Sequence, residues 1–328
     1  MATYMKTVRT ILFLSLLWIG SAHINHAQEK KSFLRSGDLR LIKNRPYTKG
    51  DNPRQRLHLI LPTSATNAPL PVLVHIHGGG WKSGEKADSM KEILPFLQFG
   101  HYAGVCVGYR LSTEAQWPAQ IHDCKAAIRW IKANASTYNL DPTRIGVWGE
   151  SAGGHLAAMI GTSAGVPDMD GSLGPYTNFS TTVRCVVDNY GPTDLIALSE
   201  IPHPITGEDR NSATSSIGLL LGGPVDENLP AAAAASPINY VSGDAPPFLI
   251  LHGTRDPIVP YSQSQLLHDA LKAENVNSTM ITVLNGKHGP GFGPEARKNI
   301  RRFFDHRLRG IRARWSDKTI RAWRPPSE

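Results

Sequence analysis

The stretch Gly149-Glu150-Ser151-Ala152-Gly153 carries the clearest chemical signature of the chain. It follows an apolar run, Ile145-Gly146-Val147-Trp148, and opens onto Gly154-His155-Leu156, so a strand is expected to turn sharply into a helix at Ser151. A serine in such a turn is forced out at the sheet edge, and the helix N-terminus behind it directs free N–H groups at developing negative charge. The flanking glycines tolerate the strained backbone and let strand and helix approach. The arrangement suits attack of a hydroxyl on an ester carbonyl.

That attack leaves charge on oxygen, which needs at least two fixed donors. His77-Gly78-Gly79-Gly80-Trp81 directly follows the apolar run Val72 to Ile76, and three successive glycines let backbone N–H groups come close without side chains in the way. With the N–H of Ala152 they would complete an oxyanion hole. A general base must take the serine proton, and a carboxylate must hold the base in the right tautomer. Of thirteen histidines, His288 in Gly286-Lys287-His288-Gly289 follows the last expected strand and lies in a loop that can reach across the sheet edge. Asp256 follows the strand-like Phe248-Leu249-Ile250-Leu251, while His252 precedes that turn and is expected to buttress it. His75 and His77 share a strand face, but no third residue at ligand spacing makes a metal site of them. No cofactor is called for.

These residues need a scaffold that gathers them. Two short alternating stretches, Leu39-Arg40-Leu41-Ile42 and Leu57-His58-Leu59-Ile60-Leu61, predict a leading hairpin. Apolar runs then alternate with amphipathic segments: strands at 72–76, 104–108, 145–148, 183–187, 248–251 and 279–284, and helices near 88–98, 119–134, 152–161, 261–273 and 294–308. Such alternation means a mostly parallel sheet with right-handed crossovers, covered by helices on both faces. Residues 195–235 break the rhythm and are expected to form a small cap insertion over the C-terminal edge of the strands, where open α/β sheets place their ligands.

The order Ser151, Asp256, His288 is the nucleophile, acid, base order of the α/β-hydrolase fold. The sequence resembles that superfamily, in particular secreted carbohydrate esterases, feruloyl or acetyl xylan esterases of the BD-FAE type, which are related to hormone-sensitive lipase-like esterases. The matching stretches are His77 to Trp81, Tyr109-Arg110-Leu111, Trp117-Pro118-Ala119-Gln120 with Asp123, Ile145 to Leu156, Gly191-Pro192-Thr193-Asp194, Ser236-Pro237-Ile238 and Pro247 to Pro260. The resemblance implies Ser151 as nucleophile, His288 as base, Asp256 as orienting acid, and Gly79, Gly80 and Ala152 as oxyanion donors. It leaves open which glycines donate. Trp81, Trp117 and Glu150 are candidate substrate contacts. Tyr109 and Arg110 are expected to brace the oxyanion loop, and Asp123 and Asp194 to serve structure. Short-chain lipase-like carboxylesterases, exopeptidases of the prolyl oligopeptidase type and a non-catalytic glycan- or partner-binding hydrolase remain the alternatives.

The formal charge of +8 is confined to one end. Residues 297–328 hold eleven Lys and Arg against three Asp and Glu, and the other 296 residues balance at 24 of each. A neutral body removes the charge argument for nucleic acid, and the partner that the resemblance implies is a small ester or esterified polysaccharide. The hydrolase domain is expected to span 38–308, followed by a solvated basic tail at 309–328. At the other end, Lys6 and Arg9 precede the apolar run Ile11 to Gly20 and the small residues Gly20-Ser21-Ala22. That pattern predicts a signal peptide over 1–22, with a second cleavage option after Ala27, and export to the periplasm or medium without stable membrane insertion. Cys106, Cys124 and Cys185 are odd in number and are expected to be buried thiols rather than a disulfide framework.

Overall fold

The computed structural model describes residues 38–64, 68–203, 205–289 and 292–323, all in the second of the two units into which the chain divides, Phe33–Glu328. The signal segment expected at 1–22 lies outside these residues. Strands β1 (Leu39–Pro46) and β2 (Arg56–Pro62) lead into β3 (Leu70–Ile76), α1 (Asp88–Leu97), β4 (Ala103–Val107), α2 (Ala119–Ala133), β5 (Leu140–Glu150) and α3 (Ala152–Thr162). A short α4 (Pro167–Asp170) precedes β6 (Cys185–Asn189). Three short helices follow, α5 (Leu195–Ser199), α6 (Ser216–Leu221) and α7 (Leu229–Ala234), in the segment expected to be a cap. The order closes with β7 (Phe248–Gly253), α8 (Tyr261–Ala273), β8 (Ser278–Leu284), α9 (Gly293–Arg309) and β9 (Lys318–Arg321). Among the described residues the strands form one sheet, β1-β2-β4-β3-β5-β6-β7-β8-β9, antiparallel only where β2 pairs with β1 and β4.

The strands are apolar at consecutive positions because each face meets a different core. In β3, Val72, Val74 and Ile76 join a core with Ile128 of α2, Leu156 and Ile160 of α3 and Leu267 of α8. Leu73, pointing the other way, joins a second core with Ile93 and Phe96 of α1 and Phe303 and Phe304 of α9. A period of two on a sheet covered twice removes the polar alternation that marks a half-exposed strand. The three cysteines are free and buried, and burial pushes the Cys106 thiol up to about 12, so the thiols act as small apolar groups.

The tail departs from expectation. Lys318–Arg321 is not a solvated extension but an edge strand running parallel to β8, with Ile320 buried and Trp315 packed edge-on against Phe303. Four residues reading Lys-Thr-Ile-Arg carry too little pattern to announce a strand, and the pairing edge that creates it lies more than thirty residues upstream.

One buried carboxylate ties the front of the sheet together. Asp123 on α2 accepts from Arg110 Nε and Nη2, each at 2.9 Å, from the Arg110 amide at 2.8 Å and from Gln55 Nε2 at 2.8 Å. The loop after β4, the turn before β2 and helix α2 therefore share one anion. Asp123→Ala would strand a half-buried guanidinium and a buried amide, and breaking such a pair typically costs about 3–5 kcal/mol. Urea unfolding should show a loss of that order, and a loss below about 1 kcal/mol would show that the cluster bears little of the stability.

Candidate active site

Ser151 sits between β5 and α3 with φ 56° and ψ −122°, a backbone conformation costly for a residue with a side chain. Two glycines make the turn sterically feasible. A Cβ on Gly149 would overlap the Gly153 carbonyl, and a Cβ on Gly153 would overlap the carbonyl oxygens of Ile76 and His77 at the end of β3. The elbow is locked from two sides, since Ser151 N–H donates to the Asn189 carbonyl on β6 at 2.9 Å and its own carbonyl accepts from His155 N–H at 3.0 Å.

The three distant side chains meet. His288 Nε2 lies 2.9 Å from Ser151 Oγ, and His288 Nδ1 lies 2.7 Å from Asp256 Oδ2. The other oxygen of Asp256 accepts from the amides of Ile258 at 2.8 Å and Val259 at 3.0 Å. His252 approaches Asp256 Oδ2 at 3.2 Å while its ring nitrogens engage Ser264 Oγ at 2.7 Å and the Val259 carbonyl at 2.9 Å, which is the buttress expected of it. Burial pushes the Asp256 carboxyl up, but the hydrogen bonds from His252 and His288 outweigh burial and hold it well below the usual carboxylate range. Asp256 is therefore an anion that keeps a proton on His288 Nδ1 and leaves Nε2 free to accept from Ser151. Tyr190, itself at φ 44°, packs its ring 4.7 Å from that of His288.

The glycine loop passes beside this relay. Gly79, Gly80 and Trp81 all have positive φ, at 111°, 57° and 58°. The Gly79 carbonyl closes the turn by accepting from the amides of Lys82 at 3.2 Å and Ser83 at 3.0 Å. Tyr109 braces the loop as expected: its hydroxyl donates to the His77 carbonyl at 3.1 Å, and its ring stacks on that of His77 at 4.3 Å. Ala152 opens α3, so its N–H has no intrahelical acceptor.

A residue not singled out by sequence holds loop and cap together. Trp81 Nε1 donates to His155 Nδ1 at 3.1 Å, which leaves the other ring nitrogen to donate to the Ala235 carbonyl at 2.6 Å. Burial holds the His155 pKa down at about 4, so this clamp is a neutral imidazole at physiological pH. Its partners stand 74 and 80 residues away, which is why spacing gave no hint of it. Asp194 caps α5 by accepting from the amides of Ile196 and Ala197, the structural role expected for it.

A cleft of about 130 Å³ opens over Ser151. Gly80, Trp81 and Ala152 line it from the body, and Leu198, Arg210 and Ile217 from the cap. Two of the candidate substrate contacts are not among its lining residues. Trp117 packs its ring 5.6 Å from His155, with its backbone N–H donated to the Leu220 carbonyl. Glu150 lines a different cavity with Trp148 and Asn189, because strand alternation turns it to the other side of the sheet. Burial and the charge of Glu92 push the Glu150 carboxyl up to about 8, and it lies 4.0 Å from His75 Nε2. Trp81 does border the cleft, yet it is buried and its indole N–H is already committed to His155. Among the described residues no cluster of three or more His, Cys, Asp or Glu gathers as a metal site.

The architecture is that of the α/β-hydrolase fold, and known proteins share it. A truncated form of a carbohydrate esterase from gut microbiota superposes with a TM-score of 0.74 at 33% identity, over 85% of this chain and 98% of that one. The acetyl ester-xyloside bifunctional hydrolase of Caldicellulosiruptor lactoaceticus gives a TM-score of 0.65 at 27% identity, over 79% and 94%. Esterase LipC of Mycobacterium tuberculosis is 31% identical over 253 residues, which is 77% of this chain and 60% of LipC. The chain spans about half the length of the curated relatives it matches. The BD-FAE family pattern matches residues 57–271, and the chain belongs to that family.

The raised carboxyl of Glu150 has a measurable consequence. It stays protonated in the folded protein across a range where the unfolded chain ionises it, so the native state binds more protons and stability falls as pH rises from about 5 toward 8. Glu150→Gln, which cannot ionise, should gain melting temperature relative to the parent near pH 8 and gain nothing near pH 4. Equal differences at both pH values would show that Glu150 titrates normally.

Proposed function

We propose that the protein is a serine esterase that hydrolyses carboxylic esters through an acyl-enzyme, with Ser151 as nucleophile, His288 as base and Asp256 as orienting acid. The observation that carries this reading is the continuous relay from Ser151 Oγ to His288 at 2.9 Å and from His288 to Asp256 at 2.7 Å, set at a helix N-terminus beside a glycine loop. His288 Nε2 takes the proton as Ser151 Oγ bonds to the ester carbon. The carbonyl oxygen becomes an alkoxide held by backbone amides of Ala152 and of the loop, for which Gly80 and Gly79 are the candidates. The imidazolium then gives its proton to the leaving alcohol as the carbon–oxygen bond breaks. Water, deprotonated by the same imidazole, attacks the acyl-serine, and return of the proton to Ser151 releases the acid.

Acetyl groups on plant polysaccharides are the substrate class this reading favours. The two structural neighbours named above are a carbohydrate esterase and an acetyl ester-xyloside hydrolase, and the cleft volume of about 130 Å³ supports a short acyl group over a feruloyl ring. The positive, apolar and small-residue pattern of residues 1–22 supports export, where such a polymer is met.

With 4-nitrophenyl acetate, Ser151→Ala should lose on the order of 10⁴-fold or more in kcat while keeping its circular dichroism spectrum, and Asp256→Asn should lose about 10⁴-fold. Unchanged turnover in Ser151→Ala would overturn the assignment. Release of acetate from acetylated xylan, measured against release of ferulate from methyl ferulate, tests the acyl preference, and faster ferulate release would reverse it.

A further inference from the structure

The mechanism leaves two charged residues that line the cleft, Glu208 and Arg210, without a task. Arg210 lies in the cap between α5 and α6, is only 7% exposed, and borders the same cleft as Ser151. Its Nε and Nη2 are shielded from water and, among the described residues, have no hydrogen-bond partner. The carboxylates whose charge reaches it are Asp256 and Glu208. Asp256 is already saturated, one oxygen by the Ile258 and Val259 amides and the other by His288 and His252. Glu208 is exposed and makes no hydrogen bond to those two nitrogens.

The same molecule shows what that edge of a guanidinium grips. Arg110 holds both oxygens of Asp123 with Nε and Nη2, at 2.9 Å each. These two donors run parallel and match the spacing of carboxylate oxygens. Arg210 keeps the equivalent pair desolvated and unfilled, with its backbone carbonyl anchored by the Ser215 hydroxyl at 2.8 Å. A guanidinium does not surrender its proton in a protein, so the charge persists, with Asp256 and Glu208 acting on it only through space and no acceptor on Nε or Nη2. Leu198, Ile217, Ile258 and Val259 give the cleft an apolar wall, which weakens the screening of an anion held beside Arg210, while His203 and Glu208 line it too.

We infer that Arg210 is a carboxylate subsite, so that the preferred substrates are esters carrying a carboxylate a few bonds from the scissile carbonyl. This inference rests on the esterase reading. The carboxylate can belong to the acid, as in a half-ester of a dicarboxylic acid, or to the alcohol, as in an acetylated uronic acid, and both present the same group to the arginine.

Two matched pairs separate these sources: monoethyl succinate against ethyl butyrate, and acetylated glucuronic acid against acetylated glucose. In at least one pair the parent enzyme should favour the anionic member about ten- to a hundredfold in kcat/KM, the range expected for a charged, bidentate contact. High salt should shrink that ratio. Arg210→Gln should bring it near one chiefly through KM, and Arg210→Lys should restore part of it. A parent without preference in either pair overturns the inference, as does a preference that survives in Arg210→Gln. Independently of any variant, succinate should compete with neutral esters in the parent enzyme and succinamide should not; equal inhibition by the two counts against the subsite. If the parent hydrolyses none of the four esters, the esterase reading itself fails, an outcome distinct from turnover without charge preference.

Discussion

The contact on which the site depends is the approach of α3 to the ends of β3 and β5, allowed because Gly149 and Gly153 have no Cβ. Any side chain at Gly153 would drive into the carbonyls of Ile76 and His77 and push the helix from the sheet. That would separate the elbow bearing Ser151 from the loop that begins at His77. The candidate nucleophile and oxyanion donors are thus held at one place by close packing, and the strain at Ser151 is sustained by hydrogen bonds to β6 and α3.

Around this contact, buried polar groups do the positioning. Asp256 is surrounded by two amides and two imidazoles, which keeps it anionic and leaves His288 one orientation. His155 is held neutral by burial and joins Trp81 on the glycine loop to Ala235 at the end of the cap. Asp123 does the same work further out with Arg110 and Gln55. Each group is satisfied, which is what makes its burial compatible with a stable fold. Arg210 is the contrast, because its Nε and Nη2 are buried with no partner among the described residues and it borders the cleft over Ser151.

Much of this could be read from the sequence, and the reason differs by element. The alternation of apolar runs with amphipathic helices reflects local periodicity, so the parallel sheet and the long helices were accessible. Ser151, Asp256 and His288 could be named because each follows a strand and lies in a loop at the same sheet edge, a consequence of connection rules rather than of side-chain contacts. The edge strand Lys318–Arg321 escaped because its partner, β8, is remote in the chain. Trp117 packs against His155 and Glu150 lines another cavity, positions the sequence could not show because residue type says nothing about which side of a loop or sheet a ring or carboxyl faces.

Taken alone, the amino-acid order determined the class of fold, the elbow, the glycine loop and the identity of the three relay residues, since these depend on backbone sterics and on the succession of elements. Only the folded chain decided that His155 is a clamp, that burial raises the Glu150 carboxyl on the other side of the sheet, and that Arg210 borders the cleft with two donors unpaired among the described residues. Those outcomes depend on desolvation and on partners brought together from distant segments, and neither is encoded at any single position.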